Sequence, residues 1–121
     1  MNPQVSVVSL WAEDVPAAVH FYRDVIGLRL LPHHQTGQPH FDVDGTYLTV
    51  LQGQPRPPRN PTPAHFPLIA FAVEDLDSAV DRLRAHHVEL PWGIDEDPRS
   101  RWVMFYDPAG NLIELVEFKH R

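Results

Sequence analysis

Apolar and polar positions follow one another in residues 5–51 in a way that predicts a strand, a helix and then short strands. Residues Val5–Trp11 alternate as a half-buried strand. Asp14 is a good N-cap, Pro16 fits the first helical turn and Gly27 suits the exit, so a helix is predicted between them. Its apolar stripe comprises Val15, Ala18, Val19, Tyr22 and Ile26, and the strands that follow are Arg29–His33, His40–Val43 and Tyr47–Leu51.

The same order of elements recurs farther along the chain. VVSLWAEDVPAAVHFYRDV, starting at Val7, aligns without a gap with LIAFAVEDLDSAVDRLRAH, starting at Leu68, and GTYLTVLQ aligns with GNLIELVE. The chain is therefore predicted to be two copies of one module, residues 5–52 and 68–118, joined by an extended proline-rich linker, residues 53–67. The second copy is predicted to contain a helix capped by Asp75, a weak strand near Val88–Leu90, and strands at Arg101–Tyr106 and Leu112–Phe118.

Two turns define which strand residues lie opposite one another. Asp44-Gly45 is a two-residue hairpin signal, which places His40 opposite Thr49. Asp107-Pro108-Ala109-Gly110 fits a type I turn followed by a left-handed glycine. With a three-residue loop, Trp102, Met104 and Tyr106 share a face with Glu114, whereas a loop of different length would place Val103 and Phe105 there.

Composition narrows the possible functions. The chain has 121 residues, which indicates one domain, and its net charge of −6 gives no electrostatic case for nucleic acid. With no cysteine there is no disulfide, thiolate nucleophile or zinc–thiolate site. No signal peptide and no membrane-spanning apolar run is seen, so a cytoplasmic location without membrane association is predicted.

The doubled module resembles the vicinal oxygen chelate superfamily, which includes glyoxalase I, bleomycin resistance proteins and extradiol dioxygenases. The resemblance rests on FYRDVIGL at the end of the first helix and DPAGNLIEL near the end of the chain. It implies an α+β fold of two tandem βαβββ modules, whose mostly antiparallel strands form a cup with the helices outside. It also implies a homodimer, because small members of the family usually pair.

The resemblance further implies which strand faces line the cup. Trp11 and its alternate neighbours in the first strand would do so, and so would Tyr47, Thr49 and Leu51 in the matching last strand. In the second copy, Leu112, Glu114 and Val116 would face inward. Metal enzymes of the family place ligands at four positions that fall here on Val7, Thr49, Leu68 and Glu114. Glu114 alone among them is a competent ligand, because valine and leucine have no donor atom and a threonine hydroxyl is a poor one.

These residues lead to the prediction of a metal-independent protein that binds a small aromatic or cationic molecule, similar to bleomycin resistance proteins. Alternatives are a lyase or isomerase with Glu114 as general base of raised pKa, a metal-dependent lyase or dioxygenase with displaced ligands such as His40, or a regulatory role without ligand. Glu114 could also be hydrogen-bonded in a wet cavity without function. The predicted ligand-binding residues are Trp11, His40, Tyr47, Thr49, Trp102, Met104 and Glu114, with Glu114 as the catalytic candidate.

Overall fold

The computed structural model describes residues 4–32, 37–55 and 68–119, and the chain divides into two compact units at residue 55. The first unit, module one, contains β1 (Val7–Ala12), α1 (Val15–His20), a π-helical segment (Phe21–Ile26), β2 (Arg29–Leu30), β3 (His40–Val43) and β4 (Thr46–Gln52). The second, module two, contains β5 (Ile69–Ala72), α2 (Leu76–Ala85), β6 (Ile94–Glu96), β7 (Ser100–Tyr106) and β8 (Leu112–Phe118).

Both modules build the same four-stranded mixed sheet, with strand orders β1-β4-β3-β2 and β5-β8-β7-β6. In each, the first strand pairs in parallel with the last, and the remaining pairs are antiparallel. The register repeats as well, because Ser9 pairs with Thr49 and Ala70 pairs with Glu114. The predicted α+β class with two tandem modules is confirmed. The predicted linker lies largely outside the described residues, and its extended form stays a prediction.

Side-chain caps begin both helices where the sequence predicts them. The Asp14 carboxylate accepts a hydrogen bond from the Ala17 N–H at 3.1 Å, and Asp75 accepts from the Ser78 N–H at 3.2 Å. At the exit of α2, His87 has φ +61° and the Val88 N–H donates to the Leu83 carbonyl at 3.0 Å. This left-handed exit is more easily formed by glycine, which occupies the matching place in module one as Gly27.

The first helix differs from its prediction in its second half, which is π-helical. The Gly27 N–H donates to the carbonyl of Tyr22, five residues earlier, at 3.1 Å. Each turn of this segment therefore takes up more residues than in an α-helix. The predicted apolar stripe holds only in part, because Ala18 and Tyr22 are buried as predicted but its other members are not. Val15, Val19 and Ile26 are only half-buried. The buried side chains of this helix are Ala18, Phe21, Tyr22 and Val25.

Two strand predictions are wrong. The strand predicted near Val88–Leu90 is instead β6 at Ile94–Glu96, because Val88 completes the helix exit and a turn at Gly93, with φ +64°, precedes the strand. The strand predicted over Arg29–His33 ends at Leu30, and Pro32 has no N–H with which to extend the pairing. His33 lies outside the described residues. The bounds of the other strands lie within two residues of those predicted, and β3 and β8 match them.

The hairpin connecting β7 to β8 is held by one buried carboxylate. Asp107 Oδ1 accepts hydrogen bonds from the backbone N–H groups of Ala109 and Asn111, at 2.9 and 2.8 Å. Gly110 has φ +92°, and its N–H donates to the Asp107 carbonyl at 3.0 Å. The connecting loop therefore consists of three residues, as the first of the two alternatives predicts, and it sets the register of β8 against β7.

Each sheet buries one face beneath its helix. In module one this face carries Phe41, Leu48 and Val50, and in module two it carries Val103, Phe105, Ile113 and Leu115, all buried. We call the opposite surface of each sheet its far face. Because side chains alternate along a strand, the far faces carry the predicted site residues. Within the described ranges, neither helix has the length and apolar character needed to cross a membrane.

Candidate functional site

Glu114 lies at the centre of the far face of module two. It is on β8, an interior strand, between Ala70 of β5 and Met104 of β7, which pair with it directly. Along the strand, the neighbours on the same face are Leu112 and Val116, both buried. The carboxylate is therefore bordered by apolar side chains in both directions of the sheet, and Glu114 itself is half-buried.

Aromatic side chains surround this position. Trp102 pairs with Val116 and Tyr106 pairs with Leu112, so both lie on the face of Glu114. Tyr106 also contacts Trp92, with ring centroids 5.9 Å apart. Trp92 and Tyr106 are 45 % and 43 % exposed, which leaves aromatic surface for another molecule. Trp92 was not among the predicted site residues, because it precedes β6 in a turn that strand alternation does not reach.

The electrostatics of Glu114 follow from its apolar surroundings. Burial raises the pKa of the carboxyl above its ordinary value, since removal from water disfavours the charged form. Within the described residues, no side chain or backbone N–H donates a hydrogen bond to it, and no cation pairs with it. The described part of the chain therefore contains no neighbour to which the Glu114 carboxylate is hydrogen-bonded.

The far face of module one carries a polar row at the equivalent position. Thr49 of β4 lies between Ser9 of β1 and His40 of β3, and it pairs with both. Thr49 is 4 % exposed, and its hydroxyl donates to the Pro39 carbonyl at 2.7 Å. The His40 ring makes an edge-on contact with Tyr47, with centroids 6.2 Å apart. The pairing predicted across the Asp44-Gly45 hairpin is confirmed.

Trp11 lies at one end of this far face and rests on a glycine. The ring is 51 % exposed, and a Cβ added to Gly53 would stand 2.6 Å from Trp11 Cε3. No L-residue with a side chain fits at position 53 unless the indole moves. Gly53 was missed by the sequence reasoning, in which it belonged to the linker.

The four positions at which metal enzymes of the resembling family carry ligands do not fit a metal here. Val7 and Leu68 have no donor atom, and the Thr49 hydroxyl hydrogen is directed to the Pro39 carbonyl. Glu114 alone would leave a divalent ion with a single protein ligand. Across the described ranges, no group of three or more histidine, aspartate or glutamate side chains is arranged to hold a metal ion.

Comparison with known proteins identifies the family. A family model described as Glyoxalase/Bleomycin resistance protein/Dioxygenase superfamily matches residues 4–115. The chain belongs to this superfamily. Its members bind small molecules and often form dimers.

Two known proteins are similar in sequence to this chain over most of its length. The uncharacterized protein YaeR of Escherichia coli K12 is 30 % identical over 94 % of this chain and 95 % of its own length. A metallothiol transferase, FosB of Staphylococcus haemolyticus, is 25 % identical over 92 % of this chain and 81 % of its own length. The relatives therefore include a protein without a stated activity and an enzyme whose name implies a metal.

Solved structures share the fold. A lactoylglutathione lyase from Agrobacterium tumefaciens superimposes with a TM-score of 0.72 and 26 % identity, covering 96 % of this chain and 94 % of that one. TnmS3, an antibiotic binding protein from Streptomyces sp. CB03234, gives a TM-score of 0.74 over 98 % of both chains. At 24 % identity, the second likeness shows the fold alone.

We expect Gly53→Ala to displace the Trp11 indole, because the new methyl group would overlap the ring. Near-ultraviolet circular dichroism and tryptophan fluorescence should change, with a loss of stability of about 1 kcal/mol, at the low end for overpacking because the indole is half-exposed. The control is the same substitution in a Trp11→Ala background, where the overlapping ring is gone and the change should be nearly neutral. Equal effects in both backgrounds would show that Gly53 does not support Trp11.

We expect Glu114→Gln to stabilise the protein increasingly as pH rises. A carboxyl whose pKa is raised by folding contributes stability while protonated and loses that contribution as pH rises through the folded pKa. Glutamine stays neutral, so the advantage of the variant should be absent near pH 4 and present at about pH 7 in urea unfolding. Glu89→Gln, at an exposed position, controls for the loss of one charge. A pH-independent difference between Glu114→Gln and wild type would contradict a desolvated carboxyl.

Proposed function

We propose that this protein binds a small aromatic molecule that carries a cationic group, and that it does so without a metal. The observation that carries the proposal is the Glu114 carboxylate, half-buried in apolar surroundings with its pKa raised by burial. A desolvated carboxylate costs free energy unless a hydrogen-bond donor or a cation compensates it. A bound ligand with such a group supplies that compensation.

The side chains around Glu114 support an aromatic ligand. Trp102, Tyr106 and Trp92 offer ring faces and edges, and Met104 adds a polarisable thioether directly opposite the carboxylate. A flat cation would gain both from the rings and from the negative charge. The chain's net charge of −6 also favours a cation over an anion.

The likeness to TnmS3 supports this proposal, because that protein has the same fold and is an antibiotic binding protein. Binding in module two would involve Trp102, Met104 and Glu114. In module one, the proposed contacts are Trp11, His40, Tyr47 and Thr49.

An enzymatic role is the second candidate, favoured by one observation. The raised pKa of Glu114 suits a general base, which works best when its pKa lies close to the operating pH. In a lyase or isomerase of this kind, Glu114 would accept a proton from a carbon next to a carbonyl group. Turnover by wild type, lost in Glu114→Gln with substrate binding retained, would favour this candidate over simple binding.

We expect Glu114→Gln to weaken the binding of 1-methylquinolinium about ten-fold or more, as befits the loss of a charged partner. Binding of the neutral analogue quinoline should change little. Isothermal titration of both probes against wild type and Glu114→Gln measures the difference, and Glu89→Gln is the control for net charge. Equal weakening of both probes, or no weakening, would contradict a charge-recognising role, and a wild type that binds neither probe would contradict the proposed function.

We expect purified, tag-free protein to hold much less than one equivalent of metal and to show no shift in melting temperature with added Ni, Zn, Mn or Fe(II). The reason is the donor set, in which three of the four family positions lack a competent ligand. Elemental analysis and thermal melts give the measurement. Near-stoichiometric metal, lost in both Glu114→Gln and His40→Ala, would instead establish a displaced metal site and favour a metal-dependent lyase or dioxygenase.

A further inference from the structure

The far face of module one contains a second hydrogen-bond acceptor, a ring nitrogen of His40. His40 Nδ1 lies 2.8 Å from the carbonyl oxygen of Gln38. A carbonyl oxygen can only accept a hydrogen bond, so Nδ1 must carry the hydrogen. In the neutral imidazole, the other nitrogen, Nε2, is then left as an acceptor with an unshared electron pair.

Two contacts also fix the orientation of the His40 ring. One contact is the hydrogen bond to Gln38, and the other is the edge-on packing against Tyr47, at a centroid distance of 6.2 Å. Both contacts are local to the β3–β4 hairpin region. His40 is only half-buried, so the ring remains accessible.

The other members of the polar row define what else a ligand meets there. The Thr49 hydroxyl donates to Pro39 and is buried. The Ser9 hydroxyl is exposed and has no partner within the described residues. Neighbouring strands are about 4.8 Å apart, so Ser9 on β1 and His40 on β3 are separated by roughly 10 Å. Two fused aromatic rings with a substituent at each end match that span.

Nearby charge does not compete for the His40 nitrogen. Asp42 shares the strand and the face of His40, but its carboxylate accepts from the Gly45 N–H at 3.0 Å and lies 3.8 Å from the Arg29 guanidinium. Exposed apolar surface borders the row instead, since Trp11 and Tyr47 are 51 % and 43 % exposed. The row thus offers a ligand two hydrogen-bonding groups, on Ser9 and His40, set among aromatic side chains.

We propose that the Ser9–Thr49–His40 row is a binding subsite for a hydroxylated aromatic group, in which His40 Nε2 accepts a hydrogen bond from the ligand hydroxyl. This deepens the proposed function and rests on it, because it names the class of aromatic compound that the far face of module one would bind. Ser9 supplies a hydroxyl that can donate or accept at the other end. Recognition by an acceptor selects a phenol over its methyl ether, which lacks the donor.

The first test is the tautomer of His40, which needs no ligand. Long-range nitrogen–proton NMR correlation on uniformly ¹⁵N-labelled full chain distinguishes the Nδ1–H tautomer from the Nε2–H tautomer, and His40→Gln assigns the signals. We expect the Nδ1–H tautomer in the neutral ring. A dominant Nε2–H tautomer would overturn the proposal, because Nε2 would then donate and not accept.

The second test measures binding of 2-naphthol and of its methyl ether by isothermal titration. The amide of His40→Gln places an acceptor near the Nε2 position, whereas the shorter His40→Asn amide reaches only the Nδ1 position. We expect wild type to prefer 2-naphthol over the ether about ten-fold, His40→Gln to keep much of that preference and His40→Asn to lose it. Thermal melts of both variants show whether the fold is intact.

The outcomes separate this proposal from the function on which it rests. Equal binding of 2-naphthol and its ether by wild type, together with Glu114-dependent binding of 1-methylquinolinium, would overturn the His40 subsite and leave the proposed function standing. Failure of wild type to bind any of the aromatic probes would overturn both. If His40→Gln and His40→Asn are both folded and both lose the preference for 2-naphthol over its ether, that result would also count against an acceptor at Nε2.

Discussion

The parallel pairing of the first and last strands is the constraint on which each module depends. Two parallel neighbours cannot be joined by a tight turn, so the chain must cross over, and here the crossover begins with a helix that covers one face of the sheet. The same pairing makes the last strand an interior strand. A residue at its middle, Thr49 or Glu114, therefore lies at the centre of the far face with a strand on each side.

The two copies use that central position differently. Thr49 is small, buried and satisfied, because its hydroxyl reaches the Pro39 carbonyl. Glu114 is longer and ionisable, and its pKa rises because burial disfavours the charged form and no residue in the described ranges compensates the loss of water. At the centre of the far face, module one thus has a hydroxyl satisfied by an internal hydrogen bond. Module two has a carboxylate there, and a ligand can offset the free energy that its desolvation costs. The internal repeat accounts for the shared geometry, and the difference between the residues accounts for the different chemistry.

The fold was largely predictable where local chemistry alone determines it. The Asp44-Gly45 turn and the Asp107–Gly110 loop specify register, so the faces of His40, Met104 and Glu114 followed from counting residues. The π-helical segment was not predictable, because an apolar stripe read at α-helical spacing gives no sign of a wider turn. The position of β6 was missed since its three residues, Ile94–Glu96, are all exposed and show no alternation in burial. The residues of the far faces could be predicted from the alternation of side chains along each strand. That alternation does not indicate what each residue does chemically.

Each of the two proposed subsites favours a ligand group that donates a hydrogen bond. Glu114 offers a carboxylate, which only accepts when ionised, and the hydrogen bond from His40 Nδ1 to Gln38 leaves an acceptor at Nε2. Neither group can recognise a phosphate, a carboxylate or another acceptor-rich anion in these states, and the net charge of −6 opposes such ligands further. A metal enzyme needs several donors that converge on one ion, whereas an acceptor bordered by aromatic rings, as on each far face, suits a flat molecule that carries a hydrogen-bond donor.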